Sequence, residues 1–151
     1  MANTQAMCTS FKTEILSGIH ALGTTVIRAG TGADTLKAAL YLASATVNAA
    51  TTAYSVTGEV SGTGYSAGGV TATNATAPTS SGTTAYWTPS ASFTYTTVTL
   101  TTSFDCVLVY NSTQSNKAIS VHIFGAQTIT AGTTVLSMPT NDSTNALIRI
   151  A

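Results

Sequence analysis

The sequence contains very few ionised residues. Charged side chains make up 7% of its 151 residues, against about 25% in ordinary soluble domains. Five Lys and Arg balance five Asp and Glu, so the formal net charge is zero. Because net charge helps to keep proteins apart in solution, we expect much of this surface to be covered in a permanent homo-oligomer or larger particle.

The shortage of basic residues argues against a nucleic-acid partner. Phosphate recognition needs a basic patch, and the basic residues here are scattered along the chain: Lys12, Arg28, Lys37, Lys117 and Arg149. Long apolar runs are also missing. The longest, at residues 38–50, contains polar side chains and is shorter than the roughly 20 residues of a membrane span. We therefore expect neither nucleic acid nor membrane as a partner.

Residues that hold metals or form disulfides are scarce as well. Two cysteines, Cys8 and Cys106, lie far apart, and the two histidines do not complete a zinc-binding pattern with them. The first residues lack the cationic start and apolar core of a signal peptide. We expect free thiols, no metal and no cofactor, in a chain made in a cytoplasm.

Residues 1–23 are predicted to form an N-terminal amphipathic helix or arm. Apolar residues recur every three or four positions, which is the helical period, and Gly23 can end the helix. This stripe could pack on its own domain or dock on a neighbouring subunit. As a hypothetical interface it comprises Met7, Phe11, Ile15, Ile19 and Leu22.

Residues 24–151 predict a single, mainly β domain. About nine short runs with strand-like composition are separated by segments rich in turn residues, which is typical of an antiparallel β-sandwich or jelly roll. TLKAALYLA alternates like a half-buried strand, with a helix as the alternative for this alanine-rich segment. The clearest hairpin is FDCVLVYNSTQSNKAISVHIF, in which two apolar runs flank a polar loop.

The stretch GYSAG matches the G-x-S-x-G pattern of serine hydrolases. Asp105 and His122 follow Ser66 in the order that an α/β-hydrolase would need. The segment after Ser66, however, is GGVTATNATAP, which is poor material for the helix that this motif requires. We therefore predict no catalytic residues and no enzymatic activity.

The glycines of this region instead predict a loop with tight reversals. Glu59 lies among them, and we expect it to hold backbone N–H groups of the loop or to pair with Arg28. The predicted loop residues are Gly58, Glu59, Gly62, Gly64, Gly68 and Gly69. Aromatic side chains that could form a sugar-binding face, or pack in the core, are Tyr86, Trp87, Phe93 and Tyr95.

Three segments carry a resemblance to a known class of proteins. KAALYLASATVNAATTAYSVTGEVSGTGYSAGG, VLVYNSTQSNKAISVHIFG and NDSTNALIRI resemble a recurring pattern in structural proteins of tailed bacteriophages. The similarity extends over about residues 10–151 and brings no catalytic residues with it.

This resemblance implies a component of the virion. The expected function is that of a capsid decoration (cement) protein, which forms a homotrimer and stabilises the head by binding the phage major capsid protein. Such a protein would be made in the host cytoplasm and would lie on the capsid surface. The alternative is a host-recognition module of a head or tail fibre that binds glycans.

Overall fold

The computed structural model describes residues 2–16, 18–23 and 33–151, which form mainly β structure. Five strands form one antiparallel sheet in the order β1-β7-β6-β2-β3, and three form a second in the order β4-β5-β8. The elements are β1 Ala6–Met7, α1 Thr9–Leu16, β2 Leu36–Leu42, β3 Val70–Thr71, β4 Thr79–Ser81, β5 Thr84–Trp87, β6 Phe93–Asn111, β7 Lys117–Leu136 and β8 Ile148–Ile150. The mainly β prediction is confirmed. One of the runs with strand-like composition, TTVIRAG at residues 24–30, lies outside the described residues.

The predicted hairpin is confirmed, but its strands are much longer than expected. β6 has 19 residues and β7 has 20, and they pair antiparallel from Asn111 and Lys117 to Phe93 and Leu136. The segment TAGT, which predicts a turn, instead forms a bulge within β7, where Ala131 takes a φ of 47°. A bulge accommodates an extra residue without ending the strand, so the chain forms one long hairpin in place of four short strands.

The N-terminal helix is shorter than the helix predicted within residues 1–23. It spans Thr9–Leu16 and follows the short strand β1. It ends at Gly18, whose φ is 69° and whose N–H donates to the Ile15 carbonyl, while the Ile19 N–H donates to Glu14. This pair of bonds is the Schellman ending, in which a left-handed glycine satisfies the last carbonyls. The helix therefore ends well before Gly23.

Strand β2 is buried on both faces rather than on one. It lies between β6 and β3 in the five-stranded sheet, and Leu36, Ala38, Ala39 and Leu40 have no exposed surface. The alternating pattern in the sequence predicted a half-buried strand. Ala39 lies on the face that the pattern predicted to be solvent-exposed. Because alanine is small and apolar, other segments can cover that face.

One hydrophobic core serves both sheets. Trp87 of β5 and Ile148 of β8 belong to the same buried cluster as Leu40 and Leu108 of the larger sheet. Cys8 and Cys106 are also in this core and are not bonded to each other. Within the described part of the chain, no helix has the length and apolar character needed to cross a membrane.

The approach of Gly69 to β2 gives a test of the fold. Gly69 has a φ of +70°, and a Cβ there would lie 1.7 Å from the Ala38 carbonyl oxygen; Gly82 has a φ of +59° and open space around it. In Gly82→Ala only the left-handed backbone conformation becomes unfavourable, so the free energy of unfolding should fall by about 1–2 kcal/mol. Gly69→Ala adds a clash with buried backbone, so its loss of unfolding free energy in urea should be clearly larger. Equal losses would contradict this packing.

Candidate functional site

The glycine-rich loop from Gly58 to Gly69 lies along the edges of β2 and β6. Glu59 forms an isolated bridge with Tyr41 of β2, and Thr63 forms another with Thr99 of β6. Gly62 comes so close to β6 that a Cβ there would lie 2.0 Å from the Thr99 carbonyl oxygen. The loop prediction is confirmed, and the glycines allow the backbone to approach the sheet.

The buried carboxylate of Glu59 organises this loop. Its Oε1 accepts hydrogen bonds from the Tyr65 hydroxyl and from the Gly68 N–H, each at 2.7 Å, and its Oε2 accepts one from the Tyr54 hydroxyl at 2.6 Å. Glu59 is 7% exposed. The expectation that it holds backbone N–H groups is therefore confirmed for Gly68. Arg28, the alternative partner, lies outside the described residues.

Tyrosine hydroxyls connect the loop to the sheet. Tyr65 also accepts a bond from the Leu40 N–H at 3.0 Å. Tyr110 donates to the Gly68 carbonyl at 2.8 Å, and Tyr95 donates to the Ala38 carbonyl at the same distance. The rings stack in pairs, Tyr54 on Tyr110 and Tyr65 on Tyr95. We call Glu59 with Tyr41, Tyr54, Tyr65, Tyr95 and Tyr110 the glutamate–tyrosine cluster.

Burial and the negative carboxylate make these tyrosines hard to ionise. Burial is the main cause that raises the pKa of Tyr41 and of Tyr110 to about 12 in each case, and Glu59 contributes further. The pKa values of Tyr54 and Tyr65 are raised more strongly by burial and by their hydrogen bonds to Glu59. The hydroxyls are thus held as neutral donors, which suits a structural role.

The three residues of the hydrolase pattern have separate partners. Ser66 lies exposed in a turn closed by a bond from the Gly69 N–H to the Ser66 carbonyl. Asp105 accepts a bond from the Asn3 side chain, and His122 is bonded to Ser120 at 2.8 Å. The chain after Ser66 enters the short strand β3 rather than a helix. The arrangement needed for a nucleophile elbow is therefore not formed around Ser66.

A second polar network joins the N-terminal segment to the turn of the long hairpin. Glu14 bonds His20 at 2.7 Å and also pairs with Lys117. Asn111 donates to His20 Nδ1 at 3.0 Å and to Asp34 at 2.8 Å. Burial raises the pKa of Glu14, but the bonds from Lys117 and His20 outweigh it and hold that pKa below its usual value. The sequence shows these residues, but it does not indicate that they contact one another, because Glu14 and Lys117 are far apart in the chain.

The predicted N-terminal interface stripe packs largely on its own domain. Phe11 has no exposed surface and meets the His20 ring edge-on, with ring centroids 4.8 Å apart. Met7, Ile15 and Leu22 are partly buried against the core, and Ile19 is also partly buried. Phe11 therefore offers nothing to a partner, while docking through the other four stays a prediction.

The aromatic residues considered for sugar binding lie mostly in the core. Trp87, Phe93 and Tyr95 are 1–3% exposed, and the Trp87 Nε1–H donates to the Thr76 carbonyl. Tyr86 alone among these four remains partly exposed. A flat aromatic platform for a glycan is therefore not available at these positions.

An open groove of about 630 Å³ lies beside β7. Apolar side chains of β1, β7 and the following segment line it, among them Met7, Ile123, Phe124, Met138 and Leu147. His122 also lines it, and burial lowers the pKa of that imidazole to about 4. In the described ranges, no three His, Cys, Asp or Glu side chains gather as metal ligands would.

Replacing Glu59 tests the role of the cluster. In Glu59→Gln the three donors lose an ionised acceptor, and the new NH₂ group faces a hydroxyl or N–H that was bonded. We expect a loss of about 1–3 kcal/mol in unfolding free energy, measured by urea denaturation. Asp142→Asn is the matched control, because Asp142 bonds only neighbours within its own exposed loop. Equal effects of the two changes would contradict the assignment.

The raised tyrosine pKa values predict instability at alkaline pH. Unfolded tyrosines ionise near pH 10, whereas those of the cluster ionise only at higher pH. The unfolded chain therefore loses protons first, so the unfolding free energy should fall steeply as the pH rises through about 10. Tyrosinate absorbance should rise together with loss of circular dichroism. Ionisation of most tyrosines near pH 10 in the folded chain would contradict the prediction; urea-unfolded protein is the control.

The described geometry is that of a protein held together by buried polar bonds, with an open apolar groove at one edge. Comparison with known proteins finds no matching family model, no matching curated protein and no matching solved structure.

Proposed function

We propose that this chain is a non-enzymatic structural protein of a bacteriophage virion, a decoration protein that stabilises the head by binding the major capsid protein. Its two sheets would form a sandwich that presents a surface with few charged groups to neighbouring subunits. The virion setting rests on the resemblance of three sequence segments to phage structural proteins. The assembly role rests on the low charge and the exposed apolar side chains of the surface.

The placement of the acidic side chains within the fold supports an assembly role. Glu14, Asp34 and Glu59 are 3–8% exposed. Asp105 binds Asn3 of the N-terminal segment, and Asp142 bonds residues of its own loop. Three of the five acids are therefore nearly buried, so an exterior already poor in charge carries little negative charge.

Such a surface suits contact with other proteins. The centres of protein interfaces are depleted in charged residues, and short hydroxyl side chains lose little rotamer entropy when they are covered. Large apolar side chains also remain exposed, with Val56 at 67%, Val135 at 52%, Ile123 at 48% and Ile150 at 44%. Covering this surface over many copies would hold capsid subunits together by buried area. The burial of Trp87, Phe93 and Tyr95 makes the glycan-binding alternative the weaker proposal.

Quantitative mass spectrometry of purified virions tests the proposal. We expect a copy number comparable with that of the major capsid protein, and heads that carry the chain should retain their DNA to a higher temperature than heads that lack it. Absence from virions, or equal thermal release from both kinds of head, would contradict the proposal. A low copy number with glycan binding by the purified chain would support a fibre module instead. Ser66→Ala is the control variant and should behave like the wild type in these assays.

A further inference from the structure

Most of the outer edge of β7 has no strand beside it in the described structure. β1 pairs with β7 only at Ser120 and Val121. From His122 to Leu136, the described hydrogen bonds of the ladder run to β6 on the other side. In an antiparallel ladder, alternate residues direct their N–H and C=O groups away from the paired strand. This edge therefore presents backbone groups that another strand can bind.

The usual protections of an edge strand are largely missing here. Natural proteins place charges or proline on such edges, or twist them with bulges. Residues 123–136 contain no charged residue and no proline. Bulges do occur, one of them at Ala131, but the ladder is regular again where Thr134–Leu136 pairs with Phe93–Tyr95. The end of β7 is thus a regular, uncharged edge.

The apolar groove continues from this edge. Val135 and Leu136 of the edge are among its lining residues, and Val135 is 52% exposed. Among the described residues that line the groove, Arg149 is the only Lys, Arg, Asp or Glu. A partner strand added along β7 would place its side chains over the groove and cover these exposed residues.

We propose that the partner on this edge is a second copy of the same chain. The two β7 strands pair antiparallel over residues 132–136 about a two-fold axis at Thr134. Val135 of each copy then lies opposite Thr133 of the other, and both side chains are exposed in the single chain. Pairing of this kind is isologous, so the same surface serves both copies and the assembly closes as a dimer.

Charge and size favour a second copy over an unrelated partner. Neither the edge nor the chain as a whole carries a net charge that would oppose self-association, and the groove offers a single cation to attract an acidic partner. Of the 15 residues from His122 to Leu136 and the 11 further residues of the groove, all but Phe93, Val107, Thr134 and Ala146 are at least partly exposed in the single chain. The remaining 22 fall within the roughly 20–30 residues a side of a standard interface.

The inference deepens the proposed assembly role, on which it rests, by naming the contact between copies. It proposes a dimer in place of the homotrimer that the resemblance implies, because an isologous contact closes with two copies. Sedimentation equilibrium of the purified chain should show a dimer. Val135→Lys places a charge in the pairing zone and should weaken dimerisation at least about tenfold in Kd. Val56→Lys is the matched control, because Val56 is 67% exposed and lies outside both the edge and the groove; it should dimerise like the wild type. Circular dichroism and urea unfolding check that both variants fold.

Hydrogen exchange supplies a second measurement. Amides of residues 132–136 that point away from β6 should be protected in the wild type and exchange faster in Val135→Lys. A monomer, a trimer or equal dimerisation of the two lysine variants would overturn the inference. Protection of these amides only after capsid protein is added would assign the edge to that partner and overturn it too. A monomer found at high copy number in virions would refute the dimer and leave the proposed function standing, whereas a dimer absent from virions would do the reverse.

Discussion

The arrangement of the loop and the larger sheet depends on the hydrogen bonds to the buried carboxylate of Glu59. Two tyrosine hydroxyls and the Gly68 N–H donate to it, and the Tyr65 hydroxyl in turn accepts from β2. A buried charge is costly unless it is hydrogen-bonded, so the loop must fold back far enough to bring these donors together. That requirement explains the close glycine contacts with β2 and β6, which leave no room for a Cβ at Gly62 or Gly69.

Local sequence signals predicted which elements form better than they predicted how long those elements are. The polar loop between two apolar runs gave the β6–β7 hairpin correctly, because a hairpin is specified by neighbouring residues. The helix ended early because Gly18 provides a left-handed C-cap before Gly23 is reached. TAGT became a bulge because pairing with β6 continues on both sides of Ala131. A local glycine cap thus decided where the helix ends, whereas the tertiary pairing with β6 decided that β7 continues.

The polar clusters were beyond prediction for a different reason. The hydrogen bond between Glu59 and Gly68 is local enough to be predicted from the sequence. Tyr110, however, is separated from Gly68 by 42 residues and Tyr95 from Ala38 by 57, so no spacing in the sequence indicates these contacts. The same holds for Glu14 and Lys117. Such bonds place three of the five acids inside the fold, so a chain that already has few ionised groups carries little negative charge on its surface.

Carboxyl labelling with a carbodiimide, read by mass spectrometry, tests this internal use of the acids most directly. In the native chain we expect Glu14, Asp34 and Glu59 to be protected, because they are 8%, 3% and 7% exposed, and Asp142 to be modified readily in its exposed loop. In urea all four should react alike. Labelling of Glu59 in the native chain as fast as that of Asp142 would contradict the account.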